Sequence, residues 1–216
     1  SLEVQRRARR ALLRAPDTVR RLTTIAEGIP DLEELLRQIR TRISDRGEVE
    51  DDATSALKAL RSQVRRAYGS VTQALTRIIR SSAGREALQD DVISVRGDRL
   101  VLQVKVEMRN HLPGIVHDAS NTGATVFVEP FTTVELCNAW REMALEEERE
   151  VAAVLHDLST LVGALSDDIR RGNELVAGLD FILARARYAA KMRGVAALPR
   201  KSRSGRGGPS GTSEPT

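Results

Sequence analysis

Apolar residues recur along this chain with two different periods. From Ala53 they fall at Leu57, Leu60, Val64, Ala67, Val71, Ala74 and Ile78, in alternating steps of four and three. That is the seam of a heptad helix. It predicts a helix running to about Ser82, roughly 45 Å at 1.5 Å per residue. A second seam follows at Leu136, Trp140, Met143, Glu147, Val151, Val154, Leu158, Leu161, Leu165 and Ile169, with Glu147 as its one charged slot. Thr132-Thr133-Val134-Glu135, just ahead of it, reads as a capping box. Between the two seams, 91–130 is the only stretch with a period of two. Its runs at 92–96, 100–106, 114–117 and 125–128 are rich in β-branched residues. Gly97-Asp98 suits a tight hairpin that needs positive φ, and Asn121-Thr122-Gly123 a longer turn.

The fold class that follows is mainly α with a small antiparallel, four-stranded β insertion. The chain must leave and return to one base, so the simplest geometry is an antiparallel coiled coil carrying the sheet at its tip. Leu60 or Val64 would then lie against 154–161. The alternative is two ordinary amphipathic helices packed on the sheet.

Shorter helices flank this unit. One spans 2–13, Pro16-Asp17 breaks it, and another runs 18–26. Asp31 can cap a third, whose stripe is Leu32, Leu35, Leu36, Ile39 and Ile43. A turn around Gly47 and an acidic helix start occupy 44–52. Beyond Arg171-Gly172-Asn173, a last helix carries Leu175, Leu179, Ile182, Leu183, Ala186 and Ala189. From Pro199 the chain is Gly, Ser, Pro and Arg without an apolar anchor, which reads as a disordered tail. The organisation is thus a partial helical core at 1–50, a first arm at 51–84, the β unit at 85–131, a second arm at 132–171, a returning helix at 172–198 and the tail at 199–216.

Composition changes this picture little. Charged residues make up 30% and aromatics 3%, as suits long surface helices. The net charge of +4 resides at the ends: 1–14 carries five Arg against Glu3, and 200–216 four bases against Glu214. The basic balance is therefore weak evidence for a nucleic-acid surface on the folded body. Cys137 is the only cysteine, which excludes an internal disulfide and makes a cytoplasmic setting the expectation. No run is long and apolar enough for a membrane span, and no signal pattern opens the chain. Its start at Ser1, within a helical pattern, suggests a fragment or a processed product.

Candidate chemistry is sparse. His111, His117 and His156 have no ligand spacing with Cys137 or with a carboxylate pair. His117, Asp118 and Ser120 are the residue types of a hydrolase triad, but neighbouring strand residues point to opposite faces. Glu146, Glu147, Glu148 and Glu150 read as a solvated acidic helix face, and Trp140 as a seam anchor. Too few aromatics exist for single-strand binding by stacking. The candidate phosphate contacts are Arg96 and Arg99, which flank the Gly97-Asp98 turn, with Lys105 and Arg109. They are outnumbered locally by Asp91, Asp98, Glu107, Asp118 and Glu129.

One stretch resembles a known family. Lys105 with Pro113-Gly114-Ile115-Val116-His117-Asp118-Ala119-Ser120, then Thr122-Gly123-Ala124-Thr125-Val126-Phe127-Val128-Glu129-Pro130 and Val134-Glu135-Leu136, is similar to the second bacterial branch of MutS proteins. The run from Ala177 to Ala189 resembles that family's helix returning from lever to core. The resemblance covers roughly 15–198. It implies that the two arms form a lever and that the β unit is a clamp closing on nucleic acid. In that reading Gly114, His117, Asp118, Gly123, Thr125, Glu129 and Pro130 are structural motif positions. It also implies a full-length ATPase, using ATP and Mg, often with a C-terminal nuclease domain. No G-x-x-x-x-G-K-[ST] phosphate loop occurs in this sequence. The expectation is therefore the core–lever–clamp portion alone, with no cofactor, no metal and no catalysis of its own.

The implied partners are DNA and ribosomal RNA through the clamp, with a homodimer in the full-length protein and no membrane. The implied processes are suppression of homologous recombination or rescue of stalled ribosomes. The rival reading is a structural coiled-coil dimerisation or protein-interaction module. Salt separates the two, because phosphate binding weakens steeply as salt rises and apolar packing does not.

Overall fold

The computed structural model describes residues 1–14 and 20–194. The Pro16-Asp17 break and the tail from Pro199 lie outside the described residues. The chain is mainly helical, with one four-stranded antiparallel sheet of strands 88–96, 99–105, 125–130 and 114–119, in that spatial order.

Two long helices carry the architecture, α4 (Ser55–Arg80) and α6 (Phe131–Ala164). Thr54 caps α4, its hydroxyl accepting the Leu57 N–H at 2.9 Å. The contacts between the helices run in opposite chain directions. Thr54 donates to Glu150 at 2.8 Å, and Arg61 Nε to Glu147 at 3.0 Å. Tyr68 packs on Trp140 at 5.6 Å between ring centroids, and Val71 and Leu75 share a core with Cys137. The two helices therefore lie antiparallel. Leu57, rather than Leu60 or Val64, packs with Val154 and Leu158.

Two details of the second seam differ from expectation. No capping box forms, because α6 already begins at Phe131, with Pro130 as its N-cap. The buried Thr133 hydroxyl instead donates to the Pro130 carbonyl at 2.9 Å. That contact sets the rotation of the first turn, so Thr133 and Cys137 face inward while Leu136 stays 38% exposed. The helix also ends at Ala164, with Leu165 as its C-cap, not at Arg171–Asn173, and α7 (Ser166–Met192) passes unbroken through Gly172. Gly172 is a packing position. A Cβ there would lie 2.3 Å from Oε1 of Gln5, on α1 (Leu2–Leu13). The buried Gln5 amide donates to Ile169 O at 3.0 Å and to Asn173 Oδ1 at 2.9 Å, tying α1 to α7.

Helices α2 (Arg20–Gly28) and α3 (Glu33–Arg42) complete the base. Asp31 Oδ1 accepts the Glu33 N–H at 3.2 Å, and Arg9 and Arg10 of α1 pair with Asp31 and Glu33. The segment after α3 folds through Gly47, at φ 82°, into a single bridge between Ile43 and Val49. No helix begins in the acidic run.

At the other end of α4 the chain reverses through α5 (Ser82–Ala87), a helix the periodicity did not predict. The Ser81 hydroxyl accepts the Gly84 N–H at 3.0 Å, and Gly84 lies so close to α4 that a Cβ would sit 2.0 Å from Ile78 O. The strands are β1 (Leu88–Arg96), β2 (Arg99–Lys105), β3 (Gly114–Ala119) and β4 (Thr125–Pro130). Gly97 and Asp98 both have positive φ, 52° and 63°, as their hairpin requires. The run expected over 100–106 ends as a strand at Lys105, and Val106–His111 form a 3-10 helix between β2 and β3. Leu100, Leu102, Val104, Val126 and Val128 make the sheet's core face, packed on Val71, Leu75, Ala87 and Cys137.

Candidate nucleic-acid interface

The hairpin that presents Arg96 and Arg99 does not project outward. Asp98, at its turn, accepts from Arg141 of α6 at 2.8 Å. Arg99 donates to Asn138 Oδ1 at 2.7 Å and reaches Glu129 Oε1 at 3.3 Å. The turn is thus folded back against α6. Arg96 lies over the Phe127 ring at 3.8 Å, pairs with Asp118 at 3.2 Å and donates to its neighbour's carbonyl, Val95 O, at 2.8 Å. Lys105 stands at the opposite end of β2, roughly 20 Å away at about 3.3 Å per residue. Its ammonium donates to Glu86 O at 3.3 Å. Arg109, on the 3-10 helix, is exposed and has no side-chain partner among the described residues. The four candidate bases are therefore not gathered into one patch, and three of them have internal partners.

The family motif forms a buried polar joint. Glu129, only 1% exposed, receives His117 Nε2 at 2.7 Å on one oxygen and Arg99 on the other. A carboxylate so far from water needs such partners, since desolvation alone would cost several kcal/mol. His117 reaches it because β3 bulges there: the register with β4 slips between Val116 and Asp118. Asp118 is spent on Arg96, so His117, Asp118 and Ser120 form no hydrolase triad. Cys137 lies against the same carboxylate. Burial, and then the hydrogen bond to Glu129, push its thiol up to about 11. A buried thiol held protonated is no nucleophile.

The remaining motif positions are equally structural. Gly114 sits where a Cβ would meet Glu129 O at 2.3 Å. Gly123 takes φ 69° in the β3–β4 turn, and the Thr125 N–H closes that turn on Ser120 Oγ at 3.1 Å. Pro130 hands the chain directly to α6. One signal for the joint was readable in the sequence, an acid set among the apolar residues Val126, Phe127 and Val128.

Elsewhere, Glu147 and Glu150 face α4 rather than solvent, meeting Arg61 and Thr54. No group of three or more metal-ligating side chains occurs among the described residues. No described helix is long and apolar enough to cross a membrane.

No family model matches the chain. It is 40% identical over 173 residues to the Endonuclease MutS2 of Geobacillus thermodenitrificans (strain NG80-2), covering 80% of this chain and 22% of that protein. To the Endonuclease MutS2 of Clostridioides difficile (strain 630) it is 39% identical over 158 residues, or 73% of this chain and 20% of the relative. To that of Halalkalibacterium halodurans it is 41% identical over 172 residues, again 80% and 22%. The chain spans about a fifth of the length of these curated relatives. With this identity over most of its length, and with His117 and Glu129 of the resembling stretch meeting in a buried joint, the chain belongs to the MutS2-type family.

Proposed function

We propose that this chain is the nucleic-acid-binding portion of a MutS-like ATPase. The antiparallel helices α4 and α6 serve as a coiled-coil lever and the sheet as the clamp it carries. The supporting observation is mechanical: a small sheet is mounted on the ends of two long antiparallel helices and fixed to one of them by a buried polar joint. The ligand proposed is duplex DNA, and the process is suppression of homologous recombination by a homodimer of the longer protein. The relatives' description as endonucleases fits a nucleic-acid ligand. ATP and Mg belong to the proposal for the longer protein. The sequence has no phosphate loop, and the described residues hold no carboxylate cluster to fit either group.

The test is a titration of a 30-base-pair duplex with the chain, from 50 to 200 mM salt. Binding whose log affinity falls linearly with log salt supports the reading. Absence of binding at 50 mM supports the purely structural module instead. Tighter binding to ribosomal RNA than to DNA would favour ribosome rescue.

A further inference from the structure

Helix α4 contains six basic residues and not one acid, whereas its partner α6 carries seven acids against Arg141 and Arg149. The paired helices are therefore electrically two-sided. Part of the charge on α4 is neutralised: Arg61 pairs with Glu147 and Asp51, and Arg65 with Asp51. Lys58, Arg66, Arg77 and Arg80 are exposed and make no ion pair among the described residues. At about 100° per residue, with Leu57 pointing to α6, Arg80, Arg66 and Arg77 fall at about 140°, 180° and 200° around the helix, with Lys58 on the flank at about 100°. They lie on the side facing away from α6, along roughly 33 Å of axis.

The same face carries Gly69, exposed and with nothing within 4 Å of the position a Cβ would take. Glycine inside a helix is unfavourable, and no packing in the structure requires it there. A glycine without a packing neighbour is suited to close approach of a ligand to the backbone. Arg66 lies on one side of it, and Gln73 and Arg77 on the other.

We infer that the outer face of α4, with Lys58, Arg66, Arg77 and Arg80, is a docking ridge for the sugar–phosphate backbone of duplex DNA, seated closest at Gly69. This rests on the nucleic-acid reading above and moves its main contacts from the hairpin to the helix. Charge complementarity selects the occupant. A polyanion is attracted by a face with four free cations and repelled by the acidic α6 behind it. Tyr68 is committed to Trp140, so no aromatic platform for a single strand stands on this face. A stiff duplex matches a straight row of charges, and phosphate contacts carry no base sequence.

The test is fluorescence anisotropy of a labelled 30-base-pair DNA duplex with the full 216-residue chain. The variants are K58Q/R66Q/R77Q/R80Q, the charge-matched control R7Q/R37Q/R170Q/R171Q, and G69Q. The ridge variant should keep the wild-type circular dichroism, bind tenfold or more weakly at 50 mM salt, and lower the salt slope by about 3 to 4. The control should lose far less. G69Q removes no charge and favours the helix, so its melting temperature should rise while duplex binding falls several-fold. Equal losses in the ridge variant and the control would overturn the ridge but leave the nucleic-acid reading standing. Wild-type binding without salt dependence, or none at 50 mM, would overturn both. Tighter binding of an RNA duplex of the same sequence would overturn the choice of DNA.

Discussion

Replacing Arg61 and Glu147, singly and together, measures the contact that fixes how α4 and α6 are paired. Their side chains are 18% and 25% exposed and meet at 3.0 Å. Arg61 also gives hydrogen bonds to Val49 O at 3.0 Å and Asp51 Oδ1 at 2.6 Å. Exposed pairs couple by about 0.2–1 kcal/mol, whereas removing one partner of a buried pair costs about 3–5 kcal/mol. This pair is largely but not wholly out of water, so its coupling should be about 1–2 kcal/mol. Arg61→Ala loses three acceptors at once and should cost about 2–3 kcal/mol. Glu147→Ala leaves Arg61 its other two and should cost about 1–2 kcal/mol. The double variant should then be less damaged than the sum of the singles, by the coupling. Replacing both by Leu completes an apolar seam and should return stability to within about 1 kcal/mol of wild type. Urea denaturation followed at 222 nm supplies all these values. Additive single effects would mean that the side chains do not touch, and the antiparallel register would fall with them.

Three further outcomes are expected. Cys137 has its thiol raised to about 11, so the unfolded chain releases this proton first; the associated stability is present below about pH 9 and is lost as pH rises to 11. Urea midpoints of wild type and Cys137→Ala should therefore converge over that window, and parallel curves would refute the shift. Gly172→Ala drives a Cβ into Gln5 and should lower stability by about 1–3 kcal/mol, despite the better helix former, so a higher melting temperature would contradict the α1–α7 packing. Arg99→Ala strips one partner from the buried Glu129 and should cost about 2–3 kcal/mol in urea titrations, where an unchanged midpoint would show that the hairpin is not docked.

The long-period features were legible because they repeat. Eight seam positions from Ala53 to Ile78 over-determine a helix, and alternation with Gly97-Asp98 and Gly123 over-determines the hairpins. Short elements offered no such redundancy. The six-residue helix α5 and the 3-10 helix span too few turns for a period to show, and local contacts decide both. Gly172 was misread for another reason. A glycine looks like punctuation when judged by its neighbours, but its function is set by Gln5, far away in sequence and in direct contact in space. The irregular slot at Glu147 likewise made sense only with Arg61 opposite it. The hairpin bases misled in the same way: flanking a turn suggests solvent, yet Asn138, Arg141 and Glu129 hold that turn inward.

These inward contacts determine what the sheet can do as a moving part. β4 passes into α6 with no intervening linker, and Thr133 locks the first turn onto Pro130. At the same end of the sheet, where the start of β2 lies beside the end of β4, Asp98 and Arg99 grip α6 one to two turns beyond Thr133, through Arg141 and Asn138. Glu129 joins the two attachments, since its carboxylate is held by β2 and β3 together. A body held to one helix at several points spread along its first turns does not pivot freely about any one of them. Rotation or tilting of α6 must therefore carry the sheet with it, without a hinge at the junction. α4 reaches the sheet differently, through the tight Ser81–Gly84 reversal and an apolar contact of Val71 and Leu75, without the directional ion pairs and hydrogen bonds that hold the sheet to α6. Relative movement of the two long helices would thus be expressed as sliding of the sheet over α4. The free cations of α4, not those of the hairpin, would then be the charges whose position relative to the sheet changes.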